Sequence, residues 1–247
     1  MNALPAANVL PREFEPDARV SAPPWLALRR AQALQEFQTR GIPHRRVEEW
    51  KYSDLRNVLE APYESGGEAA PEFGTDHFAA IAGYRIAIRD GRFDAEAADR
   101  VALPAGIELV DLGTLGADAP DWVIRNLGQA LCGGALGQAS LALMRGGVAI
   151  RVACDLDAPI HLRFLQSASA AHSRVLIVVE RGASLDLLES HPGATGLANI
   201  GFETVLESGS LMLHTRLAGA GPDTVLIEEI GIRVAKDARY RGHFSQT

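Results

Sequence analysis

From Gly146 onward apolar side chains recur at the spacing of strands, and no other feature limits the possible folds as strongly. Val148, Ile150 and Val152 alternate with Ala149 and Arg151. Ile160, Leu162 and Phe164 alternate with His161 and Arg163, and Leu211, Leu213 and Leu217 with Met212, His214 and Arg216. A period of two buries one face of a strand and wets the other. The alternation predicts that Ile160, Leu162, Leu211 and Leu213 point inward, and that His161, Arg163, His214 and Arg216 point outward. Val175–Val179 is uninterrupted, as in a strand covered on both faces. Seven or so strands within about 100 residues, parted by Gly-, Ser- and Asp-containing turns, suit a sandwich, a barrel or a solenoid. No strict hexapeptide or other short repeat is present, which disfavours an acyltransferase-type β-helix.

Upstream the pattern is mixed. Residues 1–22 lack a clear period and read as a loose tail. Pro23 and Pro24 precede a helix running to about Arg40, with Leu26, Ala33, Leu34 and Phe37 on one face. Gly41 supplies its stop and Pro43 blocks continuation. Residues 61–80 read as a loop. Tyr84–Arg89 is a predicted strand followed by an Asp90-Gly91 turn, and Ile107–Leu112 is another. Asp121–Leu131 and Ala135–Arg145 read as helices parted by Gly133-Gly134. The resulting division is a tail over 1–22, a helical and mixed domain over 23–145 and a β core over 146–247.

Several function classes are disfavoured. A length of 247 residues with 47% apolar content supports a buried core. The net charge of −7 opposes a general grip on nucleic acid or anionic lipid. No apolar run approaches the roughly 20 residues of a membrane span, and no signal-peptide h-region is visible. Cys132 and Cys154 are the two cysteines. They cannot build a disulfide framework, so a reduced cytoplasmic setting is expected.

Motifs for chemistry are sparse. There is no C-x-x-C, no cysteine at ligand spacing to a histidine, no phosphate loop, no dinucleotide fingerprint and no esterase elbow. Cys132 and Cys154 read as small buried hydrophobes. His161 and His214 read as solvated or interface residues, and His44 as a surface residue. His191, which shares parity with Leu185 and Leu187, reads as a satisfied buried one. The doublets Glu48-Glu49 and Glu228-Glu229 are poor acid pairs, because neighbours on a strand face opposite ways; they read as solvated. Asp155 and Asp157 share a face but look like turn residues. No catalytic, cofactor-binding or metal-binding residue is expected.

One segment carries more information. Gly41–Leu55, GIPHRRVEEWKYSDL, has a core of Trp50, Lys51, Tyr52 and Asp54, with Glu48 just before it. It resembles the N-terminal signature of the SufB/SufD family of SUF iron–sulfur cluster assembly, with Ser53 where the family usually has Thr. Further motifs follow in the family's order. They are Asp157-Ala158-Pro159-Ile160-His161-Leu162, then Arg174–Glu180 with Arg181-Gly182-Ala183, then Glu189, Asn199, Glu203, Leu213-His214 and Ala238–Ser245. The resemblance covers about residues 23–247 and favours the SufD branch.

The resemblance implies a right-handed parallel β-helix preceded by an α-helical and mixed N-terminal domain. It implies a non-catalytic scaffold acting with SufB and the SufC ATPase, and an iron–sulfur cluster handled transiently by the complex, none being resident on this chain. Glu48, Trp50, Lys51, Tyr52 and Asp54 would be structural or docking residues, with Trp50 an anchor. Family members are longer, so the chain is expected to be C-terminally truncated, to lose the SufC contact, and to self-associate through an open β-helix end near Arg239–Thr247. The alternatives are a secreted-type β-helix carbohydrate-active enzyme and a cupin-like metal barrel. The first would need a secreted chain, exposed aromatic platforms and a same-face carboxylate cluster, against three Trp, four Tyr and no visible signal peptide; the second lacks a His-x-His pair.

Overall fold

A computed structural model describes residues 11–17, 21–59, 75–98, 103–130, 134–167, 170–192, 196–219 and 224–246. Strands β4 (Gly146–Val152), β6 (Ala170–Val179), β8 (Gly196–Leu206) and β10 (Thr224–Val234) stack in parallel in one sheet. Strands β5 (Ile160–Leu165), β7 (Ser184–His191), β9 (Leu211–Ala218) and β11 (Arg239–Gln246) stack in parallel in the other. Successive strands alternate between the sheets, so the chain coils as a β-solenoid of about three turns. The open sheets exclude the cupin-like barrel.

The opposite end is extended by the upstream strands. β1 (Tyr84–Arg89) joins β5 in parallel, and β2 (Arg92–Phe93) returns beside it. β3 (Ile107–Asp111) runs antiparallel to β4. Asp90 and Gly91 have φ of 46° and 79°, the paired positive values of a two-residue hairpin turn.

Helices α1 (Pro24–Arg40), α2 (Leu55–Val58), α3 (Asp121–Asn126) and α4 (Ala135–Leu143) lie on the N-terminal side. Leu26, Ala33 and Phe37 of α1 pack in one core with Leu136, Ala139 and Leu143 of α4 and with Leu176 and Val178 of β6. Val175, Ile177 and Val179 face the solenoid interior instead. Strand β6 therefore has both faces covered, which explains the unbroken Val175–Val179 run. Phe14 also belongs to the helical core, with its ring 5.4 Å from Phe37 and 5.0 Å from His172. The described part of the expected tail is thus anchored by an aromatic contact. Helix α3 is shorter than the predicted Asp121–Leu131, because the N–H groups of Gly128, Gln129 and Ala130 turn to the Glu203 carboxylate.

The two strands with an expected facing, β5 and β9, differ. On β5, Ile160 and Leu162 are inward and His161 and Arg163 point away, as expected. His161 is nonetheless buried rather than solvated. Its Nε2 lies 2.8 Å from Ser190 Oγ, and the Phe78 ring meets it edge-on. On β9 the expected facing is reversed. Met212 and His214 are buried inward, whereas Leu211 and Leu213 are half-buried and stack on Ser184 and Asp186 of the outer face. Registry with β7 sets Met212 on Leu185 and His214 on Leu187. A shift of one residue in parity exchanges every side chain between faces.

Candidate functional site

The signature segment does not form a cavity. Glu48–Trp50 is a single 3-10 turn. Trp50 is half-buried against the helical core, whereas Glu48 and Lys51 are exposed and Tyr52 is 92% exposed. The Lys51 ammonium lies 5.7 Å from the Tyr52 ring centre. Asp54 caps α2, accepting from the Arg56 N–H at 3.2 Å and pairing with its guanidinium at 2.7 Å. The hydrogen bonds and charge of Arg56 hold the Asp54 carboxyl down at about 2.

Polar chemistry gathers inside the solenoid. Parallel register aligns residues in columns through the turns. One column runs Ile86, Leu162, Glu189, Arg216. Another, on the facing sheet, runs Ser173, Ile200, Glu228. The first is apolar at Ile86 and Leu162 and charged in the later turns; the second passes from Ser173 through Ile200 to a carboxyl. Glu189 sits at the centre. One carboxylate oxygen takes a very short contact from His191 Nε2, and the other lies 2.7 Å from His214 Nε2. His214 Nδ1 is 2.9 Å from the Tyr240 hydroxyl. Arg216 Nε lies 3.0 Å from Glu228 and 3.5 Å from Glu189. Phe164 stacks on His191, and Phe202 stacks on His214.

Neighbouring charges separate the two carboxyls. Burial alone would raise Glu189, but the charge of His191 and hydrogen bonds from both imidazoles outweigh it and hold the group ionised. Glu228 is pushed well up by burial and by the Glu189 charge, against the pull of Arg216. The two titrate as a pair, one readily ionised and one holding its proton. Burial and these same carboxylates also raise Tyr240, keeping its hydroxyl protonated. A cleft lined by Gln166, Ser173, Thr224 and Leu226 leads to His191.

A second buried network joins the solenoid to the helices. The side chains of Arg174 and Glu203 are 1% and 0% exposed and pair at 2.7 Å. Arg174 also donates to Ser140 Oγ and the Gly137 carbonyl. Glu229 accepts from the N–H groups of Gly134 and Gly137 at the start of α4. Glu228 and Glu229 do face opposite ways, as a strand requires, but neither carboxyl is a solvated surface group.

The other expected residues are dispersed. Asp155 accepts from Ser184 Oγ at 2.6 Å and Asp157 from the Tyr84 hydroxyl at 3.0 Å, both as turn residues. Cys154 is a half-buried free thiol, and Cys132 lies outside the described residues. The interior cluster is not legible in the sequence because its members come from four strands, β7, β9, β10 and β11. The available signal was a 27-residue spacing: Leu162, Glu189 and Arg216 fall on it, as do His172 and Asn199. It is a period of position, with no repeated residue type to reveal it.

Comparison with known proteins places these features in a family. A model of the SufBD protein N-terminal region matches residues 16–131. A model of the SUF system FeS cluster assembly SufBD core domain matches residues 163–246, including the interior cluster. An iron–sulfur cluster assembly SufBD family protein of Synechocystis sp. is 24% identical over 221 residues, covering 81% of this chain and 49% of that relative. The chain thus spans about half the length of the curated relative it matches. Among the described residues, no helix is long and apolar enough to cross a membrane.

Proposed function

Because the chain belongs to the SufB/SufD family, we propose that it serves iron–sulfur cluster assembly as a scaffold subunit rather than an enzyme, SufD-like in role, beside a SufB-type partner and a SufC-type ATPase. The observation that carries this reading is the match of both the N-terminal and the core family models, in chain order. A solenoid supports it physically, since its extended faces can hold partners without a nucleotide loop of its own. ATP hydrolysis then resides in the SufC-type partner. The cluster is cargo of the complex and is not resident here, and the setting is the cytoplasm. Glu48, Lys51 and Tyr52 are the exposed docking side of the signature segment.

Co-purification tests the proposal. The tagged chain, co-expressed with the SufB- and SufC-type proteins of its own source, is expected to retain the SufB-type protein through a salt wash. Failure to retain it, with hydrolysis of a polysaccharide panel by the chain alone, overturns the scaffold role in favour of a carbohydrate-active enzyme.

A further inference from the structure

We propose that Glu189, His191 and Glu228 form a mononuclear site for a divalent first-row transition ion inside the solenoid. One ring nitrogen of His191, one oxygen of Glu189 and one of Glu228 lie within 4.8 Å of one another. One cation at the centre of such a triangle reaches all three after adjustments of side-chain torsions alone. One imidazole nitrogen and two carboxylate oxygens, with no thiolate, suit Mn2+, Fe2+ or Zn2+.

A second observation points to a ligand. Glu228 Oε1 is buried, on a side chain 4% exposed, and the group it faces is another carboxyl, Glu189. Two buried carboxyls that face each other are costly unless a proton or a cation lies between them. Arg216 Nε lacks a well-aligned hydrogen bond, although it lies 3.0 Å from Glu228. Arg216 therefore acts as the counter-charge of the metal-free form. Its side chain is 19% exposed and has a way out toward solvent. When it withdraws and Glu228 gives up its proton to solvent, a divalent ion balances the two carboxylates.

His214 positions the site. Its Nε2 holds the second oxygen of Glu189, and the Tyr240 hydroxyl on Nδ1 fixes the ring. Such outer partners orient metal-binding carboxylates. The cleft beside Gln166 and Thr224 gives the ion a route to His191. The sequence contains no linear metal motif because the solenoid register assembles the donors from β7 and β10, on opposite sheets.

Metal uptake by the chain alone does not depend on the scaffold role, so the two readings fail separately. The test is calorimetric titration of the full chain with Zn2+, and with Fe2+ under anaerobic conditions, after chelator treatment and desalting. One ion per chain is expected. Glu228→Gln and His191→Gln are each expected to weaken binding at least tenfold, whereas Glu229→Gln, one residue along and facing α4, leaves it unchanged. Folding of each variant is checked by circular dichroism. Wild-type chain that takes up neither ion at millimolar concentration overturns the site. So does unchanged binding in a folded Glu228→Gln or His191→Gln variant.

Discussion

His172 is held where only one protonation state fits. Its Nε2 lies 2.8 Å from the Glu13 carbonyl, which can only accept, so Nε2 carries the hydrogen. Nδ1 then accepts from Asn199 Nδ2 at 3.1 Å. A second proton would break that bond and charge the core beside Phe14. Burial pushes His172 down to about 4; the bond to the Glu13 carbonyl opposes this, and the charge of Arg145 adds to it. An unfolded histidine takes up its proton near pH 6.5, so between about 6.5 and 4 the unfolded chain binds more protons than the folded one. Stability attributable to this group therefore falls as pH falls through that window, by on the order of 3 kcal/mol. Urea unfolding at several pH values should show a flatter acid limb in His172→Gln; an unchanged slope would remove His172 as the cause. Trp50 gives a different test. It is half-buried, so Trp50→Ala should cost about 2 kcal/mol, below the range for a fully buried aromatic. Lys51→Ala on the exposed side should change stability by less than about 0.5 kcal/mol. Thermal melts that rank the two the other way would reassign Trp50 to docking alone.

At the level of elements, what could be read from the sequence was whatever rests on local signals. Helix α1 was legible because two prolines, an apolar face and Gly41 all act within its own length. The β1–β2 hairpin was legible because two residues in positive φ are a local requirement. Helix α3 is shorter than its local signals predict because its end is set by Glu203, more than 70 residues away. Strand β9 reverses the predicted facing because its inner face carries His214 and Arg216, so polarity there does not mark the outside. Polarity predicts facing only where the interior is apolar, and here the interior changes character between β5 and β9. The Arg174–Glu203 pair links these elements. Glu203→Ala would strand a buried guanidinium and three backbone N–H groups, at a cost of about 3–5 kcal/mol. Replacing both partners, as Arg174→Met with Glu203→Ala, should recover the part of that loss due to the unpaired guanidinium, while the three N–H groups remain without their acceptor. Chemical denaturation of both singles and the double gives the coupling. Strictly additive effects would mean that the pair is not a unit. Gly147 sets a related constraint. At φ 125°, a Cβ there would lie 1.8 Å from the Arg174 carbonyl, so no side chain fits between β4 and β6.

On the scale of the whole molecule, one sheet serves two cores. The β4–β6–β8–β10 sheet packs its inner face into the solenoid and its outer face onto the helices, so β6 and β8 are covered on both sides. The other end of the stack is different. Among the described residues, β10 and β11 are the last strands of their sheets, and the outer edge of each carries backbone N–H and C=O groups with no strand opposite. Val234 is 52% exposed and Phe244 46% exposed on these strands. Open strand edges with apolar neighbours favour pairing with another chain. Arg239 and Arg241 on β11 are exposed and oppose that pairing by like-charge repulsion. The balance gives a signed prediction. The isolated 247-residue chain should self-associate with rising concentration, and more strongly at high salt, because salt screens the arginines while leaving backbone pairing and apolar contact intact. Light scattering over a concentration series at two ionic strengths reads both effects. A Val234→Lys, Phe244→Lys double variant should stay monomeric over the range where the wild type associates. A wild-type chain that remains monomeric throughout, or one whose association weakens with added salt, would show that these edges do not govern its assembly.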